Sequence, residues 1–282
     1  IDFVDINLLN YNICVRSLEN KLIKTSKKKL PKILIVTHIG GVPSNLEKIN
    51  KLSKKYKFKI IEDASHALGS IYKNSKIGSC KYSSICVFSF HPIKTITTGE
   101  GGACLTNDKK LSNSILALRS HGIFRNIKNK KFNNFYYEQK NLGYNYRLSD
   151  INAALGISQL RRINTILRAR NRICDNYRKN ILNRGVFLIK KNKDYYSSNH
   201  LFIIRLISKK LISKHKKIID HLLKKKILIN IHYYPIYLHP YYRNIGFKKG
   251  YCPNAEKYYF SSFSIPVYES LSENKQKLVY NS

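Results

Sequence analysis

Residues 33–63 decide the fold: Ile33-Leu34-Ile35-Val36 opens the stretch and Phe58-Lys59-Ile60-Ile61-Glu62-Asp63 closes it. The first run is short, apolar and β-branched, as buried strands are. Between the two runs, Leu46, Ile49 and Leu52 recur at helical spacing. Ser44, with Glu47 following, reads as a capping box for that helix. Strand, helix, strand in this order predicts a right-handed βαβ unit and a parallel sheet.

Working outward, residues 84–90 and 102–106 read as further strands. Asp108 opens a helix that reaches Arg119, and the polar stretch 126–134 reads as a loop. Ser149 caps a long helix expected to bend and continue to about Ile181. Beyond it the pattern predicts a strand over 200–207, a basic helix over 209–226 and another strand over 227–233. The expected class is α/β: a large domain with a mostly parallel sheet over 1–165, then a linking helix and a smaller α+β domain over 166–282.

The 282 residues, 43% of them hydrophobic, suffice for a sizeable core. No apolar run approaches the length of a membrane span. The start, Ile1-Asp2-Phe3-Val4-Asp5, has no basic region or cleavage site of a signal peptide. The chain contains no methionine and opens mid-pattern, which reads as a fragment. With 52 Lys+Arg against 16 Asp+Glu, the formal charge is +36. The lysines are scattered along the chain, so they read as a solvated background without a dedicated nucleic-acid or membrane partner. The six cysteines form no CxxC pair and no zinc-type cluster, which predicts a reducing, cytoplasmic setting and no structural metal. Cys86 and Cys104 lie in apolar runs and read as small core residues.

Two segments carry chemistry. Glu62-Asp63 ends a parallel strand, where such sheets bind ligands, and Ala64, Ser65, His66, Ala67 and Gly69 follow. In the second, Ser89-Phe90-His91-Pro92-Ile93-Lys94 presents a lysine at a turn, backed by Thr98-Gly99-Glu100-Gly101-Gly102. One lysine among 52 basic residues is by default a surface lysine. The apolar approach, the Ser89 hydroxyl and the glycine cluster weigh against that default.

Together these segments resemble the DegT/StrS group of nucleotide-sugar aminotransferases, within the aspartate-aminotransferase-like (fold type I) superfamily. The likeness continues through Leu142-Gly143-Tyr144-Asn145-Tyr146-Arg147-Leu148-Ser149-Asp150, His232-Tyr233-Tyr234-Pro235 and Pro253-Asn254-Ala255-Glu256. Within the group it is nearest to members that aminate the 4-keto carbon of a UDP-linked deoxy sugar in pseudaminic acid-type biosynthesis. The resemblance implies that pyridoxal 5'-phosphate is held covalently by the Lys94 amine and that glutamate donates the amino group. By the same carry-over, Asp63 pairs with the cofactor's ring nitrogen and His66 contacts its ring hydroxyl. Ser89 binds its phosphate, and Asn145 reaches the phosphate in a neighbouring subunit of a homodimer. His232 and Tyr233 lie near the sugar. The family's glycine/serine/threonine phosphate cradle precedes the point that matches Ile1. Related sugar dehydrases carry a histidine at the lysine position; Lys94 favours transamination here. A basic binding protein or an inactive paralogue is the remaining reading.

Overall fold

The computed structural model describes residues 1–124, 136–181 and 184–282. The loop expected over 126–134 lies outside the described residues.

The expected βαβ unit is present. Strand Ile33–Thr37 runs parallel to Lys59–Asp63, which runs parallel to Ile85–Ser89; Gly102–Leu105 closes this sheet antiparallel. The register aligns Ile35, Ile61 and Ile85 across three strands, and then Thr37, Asp63 and Val87. Successive side chains of a strand point to opposite faces. One face packs Val36, Ile60, Cys86 and Phe88 against Leu18 and Leu22 of helix Val15–Lys24 and Leu46 and Ile49 of helix Leu46–Tyr56. The opposite face leaves Ile33 55% and Ile35 64% exposed. Cys104 is exposed, not a core residue, because it lies on the outermost strand, Gly102–Leu105.

The helix after the first strand starts one residue later than its capping box predicts. Asn45 is the cap, accepting from the Lys48 amide at 3.3 Å. Ser44 instead donates its hydroxyl to the Thr37 carbonyl at 2.7 Å, closing the turn that leads out of the strand. Glu47 pairs with Lys73 across the surface. The other two caps are as expected. Asp108 accepts from the Lys110 and Leu111 amides ahead of helix Lys109–Arg119, and Ser149 accepts from Asn152 ahead of Asp150–Arg161. The chain then bends at Arg162 and continues as helix Ile163–Ile181.

That long helix contributes Ile173, Cys174, Tyr177 and Ile181 to a second core. Facing them is a three-stranded antiparallel sheet with Phe202–Leu206 at its centre, flanked by Ser262–Ile265 and Val186–Phe187. Two expectations in this part need correction. The basic helix over 209–226 is two helices, Lys209–Ile212 and His215–Lys224. The strand over 227–233 does not form. Only Asn230 bridges to Ser264, while Ile227, Ile229 and Ile231 pack onto the second core. The alternating apolar residues are therefore satisfied by packing rather than by a ladder. Lys226, at φ 59°, turns the chain into this segment, and His232 and Tyr233 leave it towards the cavity described next. No described helix is long and apolar enough to cross a membrane.

Candidate active site

A cavity of about 410 Å³ opens at the carboxyl ends of the parallel strands. It brings together Asp63, His66, Lys94, His232 and Tyr233. Ser89 and Asn145 do not line it. Ser89 ends its strand and accepts weakly from the His91 amide at 3.5 Å. Asn145 is exposed and bridges to Ser120.

Each side chain is placed by local structure. Asp63 is the last residue of its strand, so its side chain leaves the sheet edge into the cavity. Its Oδ1 accepts from the Ser65 amide at 3.1 Å and the Ser65 hydroxyl at 2.6 Å. Its Oδ2 has no hydrogen-bond partner among the described residues. Lys94 follows the turn closed by its own amide donating to the His91 carbonyl at 2.9 Å. Its amine makes no hydrogen bond or ion pair with the described residues. Burial lowers the Lys94 amine from its ordinary value, and the Asp63 carboxylate opposes this only in part.

His66 is buried at the back of the cavity. Its Nδ1 accepts from the Gly40 amide at 3.3 Å, and its Nε2 lies 3.3 Å from the Tyr233 hydroxyl. The Tyr233 ring stacks on one side of His66 and the His200 ring lies 4.5 Å away, centroid to centroid. Burial, then the charge of Lys94 and the neighbouring His232, push His66 down to about 3. Burial also holds His200 well below its ordinary value, and His232 below its own. Tyr233 is raised by burial and by the Asp63 carboxylate. Burial thus disfavours the charged form of all three imidazoles and of the Lys94 amine.

The segment ahead of the cavity carries no residue that the sequence motifs single out. Thr37-His38-Ile39-Gly40-Gly41 leaves the first strand, and Thr37, His38 and Ile39 line the cavity. His38 is fully buried, with Nε2 2.9 Å from Glu62 Oε2 and Nδ1 accepting from the Ser44 amide at 3.0 Å. Asn12, also buried, clamps this turn, accepting from the Ile39 amide and donating to the Val42 carbonyl, both at 2.8 Å. A histidine and two glycines directly after a predicted strand were the available signal. His200 gave none, because nothing in its local sequence ties it to His66.

These residues fit a pyridoxal phosphate group. A carboxylate oxygen open among the described residues suits a protonated ring nitrogen, an amine without an ion pair among them suits a carbonyl carbon, and an imidazole N–H suits a ring oxygen. Among the described residues no cluster of histidine, cysteine and carboxylate groups is suited to a metal ion.

Comparison with known proteins bears on the family. Residues 2–282 match the model of the DegT/DnrJ/EryC1/StrS aminotransferase family. The UDP-4-amino-4,6-dideoxy-N-acetyl-beta-L-altrosamine transaminase of Campylobacter jejuni strain 81-176 is 38% identical over 280 residues, covering 99% of this chain and 71% of that protein. The structure of Helicobacter pylori PseC, an aminotransferase involved in the biosynthesis of pseudoaminic acid, superposes with a TM-score of 0.89 at 31% identity, covering 99% of this chain and 71% of that one. Spr1654 of Streptococcus pneumoniae, provisionally assigned as a sugar aminotransferase, superposes in its PMP form with a TM-score of 0.89 at 25% identity, covering 99% of this chain and 73% of that one.

Proposed function

From the premise that this chain belongs to the DegT/DnrJ/EryC1/StrS aminotransferase family, whose members are pyridoxal-phosphate enzymes, we propose that it moves an amino group from glutamate to the 4-keto carbon of a UDP-linked deoxy sugar. The observation that carries the proposal is the meeting of Lys94, Asp63 and His66 in one cavity. Support for the sugar comes from the named activity of the Campylobacter relative.

When bound, pyridoxal phosphate supplies an electron-withdrawing ring that stabilises charge on the reacting carbon. The chain's own groups do the rest. Lys94 is the covalent attachment point, and its lowered affinity for protons favours the neutral amine that serves as nucleophile and proton carrier. The free Oδ2 of Asp63 holds a proton on the ring nitrogen. His66 donates from Nε2, and its neutrality keeps a second positive charge away from Lys94. His232 and Tyr233 shape the sugar side. Ser89 is assigned to the phosphate.

The proposal includes a cytoplasmic homodimer in which Asn145 reaches the partner's cofactor phosphate. Exposed Tyr144, Tyr146, Ile151 and Leu155 around it supply an apolar surface suited to a second copy. It also includes a large domain over 1–165 and a smaller one over 166–282. The separate core under the Phe202–Leu206 sheet supports that division.

The test is the absorption spectrum of the protein with pyridoxal phosphate. A band of the lysine-bound cofactor, absent in Lys94→Ala and converted by glutamate, is expected. A wild-type protein without the band, or a band that no amino donor converts, overturns the reading.

A further inference from the structure

His38 lines the cavity, but it pairs with Glu62 on the other side of the strand that carries Asp63, and the reaction as described does not use that pair. The His38 ring, held between Glu62 and the Ser44 amide, anchors a turn whose main chain leads to the site through three hydrogen bonds. The His38 amide donates to the Asp63 carbonyl at 3.3 Å. The His38 carbonyl accepts from the Gly41 amide at 3.1 Å, which shapes the turn. That turn aims the Gly40 amide at His66 Nδ1.

The hydrogen bonds fix two tautomers. Nδ1 of His38 accepts from the Ser44 amide, so its proton is on Nε2, and Nε2–H donates to Glu62. Glu62 is held in turn by the Ser83 hydroxyl on its other oxygen. Nδ1 of His66 accepts from Gly40, so His66 also carries its proton on Nε2, directed at Tyr233 and the cavity.

We infer that His38 is a positioning residue that, through the Gly40 amide, fixes His66 as a neutral imidazole with its N–H facing the cavity. The alternative states of His66 all place an N–H against the Gly40 N–H. A buried amide would then lose its acceptor, which disfavours those states by roughly tenfold or more. Moving Gly40 away to relieve them is resisted from several directions. Its carbonyl accepts from the Leu201 amide at 3.2 Å, and the Gly41 carbonyl accepts from the Ser70 hydroxyl at 2.8 Å. The burial that holds His66 near 3 acts in the same direction.

The relevance of this tautomer to amino transfer rests on the function proposed above; the tautomer itself does not. The experiment is ¹⁵N–¹H correlation of the histidine rings in the full chain loaded with pyridoxal phosphate, with His66 identified by its loss in His66→Gln. The expected wild-type signal is a neutral Nε2–H ring that does not change from about pH 8 to about pH 5, the range in which a free histidine titrates. In His38→Ala the ring is expected to sample both tautomers. His38→Gln, whose amide can still donate to Glu62, is expected to restore much of the wild-type pattern. An Nδ1–H or charged His66 in the wild type overturns the inference, as does an unchanged His66 in His38→Ala. Should the alanine variant not fold, His38→Asn, which cannot reach Glu62, is read in its place with the same two outcomes. A cofactor band that glutamate does not convert would refute the proposed function and leave this result standing.

Discussion

Glu62 and Asp63 are adjacent carboxylates that leave one strand on opposite sides. Glu62 is 2% exposed and bound to His38 and Ser83, whereas Asp63 enters the cavity with one oxygen unpartnered among the described residues. The period-two alternation of a strand thus separates a buried structural acid from a chemical one within two residues.

That separation predicts what amidation of the acid facing the cavity does. Asp63→Asn keeps an acceptor for Ser65 but removes the charge facing the cavity. The protein is expected to retain pyridoxal phosphate and to lose on the order of 10²–10³ in the rate of the glutamate half-reaction, the scale for one preorganised electrostatic contact. Rapid-mixing absorbance measures it. A rate within a factor of a few of wild type would remove Asp63 from the role assigned.

His66 makes stability depend on acid. Its folded value, about 3, lies below the ordinary 6.5. Between those values the unfolded chain binds a proton that the folded chain refuses, so stability is complete above 6.5 and falls as pH drops towards about 3. The slope implies a loss on the order of 4 kcal/mol from this group. Urea unfolding from neutral to acidic pH should show a shallower decline in His66→Gln, because the glutamine does not titrate. Parallel declines would mean that His66 takes up its proton normally.

Gly41 has φ 90°, and a Cβ there would lie 2.2 Å from Ser198 Oγ and 2.9 Å from the His66 carbonyl. Gly41→Ala therefore combines backbone strain with displacement of the segment holding His66. A loss of about 2–4 kcal/mol is expected from chemical denaturation, together with weaker cofactor retention. A nearly neutral effect would show that this turn is free to rearrange.

Asn12 satisfies two backbone groups of the same turn from 27 and 30 residues away. Asn12→Ala orphans the Ile39 amide and the Val42 carbonyl, at about 1–3 kcal/mol each. Amide exchange at Ile39 is the sensitive measurement. It is expected to accelerate well beyond exchange in the second core, where Phe202–Leu206 should remain protected.

The parts of the site legible in the sequence are those encoded locally. Asp63 and His66 follow a recognisable strand end, and Lys94 sits in a turn marked by Pro92 and a glycine cluster. His38 and His200 became visible only through folding, because their partners lie far along the chain: Glu62 for His38 and the His66 ring for His200. The capping box at Ser44 failed for a related reason. Its hydroxyl closes the turn by donating to the Thr37 carbonyl, and the Lys48 amide in the helix's first turn donates to Asn45 Oδ1. The strand expected over 227–233 failed because alternating isoleucines report a buried face, which a packed irregular segment provides as well as a ladder does.

The bare isoleucines of the sheet, Ile33 and Ile35, have a colloidal consequence when set beside the net charge of +36. At low ionic strength, like charge keeps molecules apart and these sticky strips rarely meet. Added salt shortens the range of that repulsion to about 3 Å at 1 M, while leaving the attraction between oily surfaces intact. The lysine excess thereby serves as a solubilising shell, and this polypeptide should be salted out more readily than a protein whose sheet is covered on both sides.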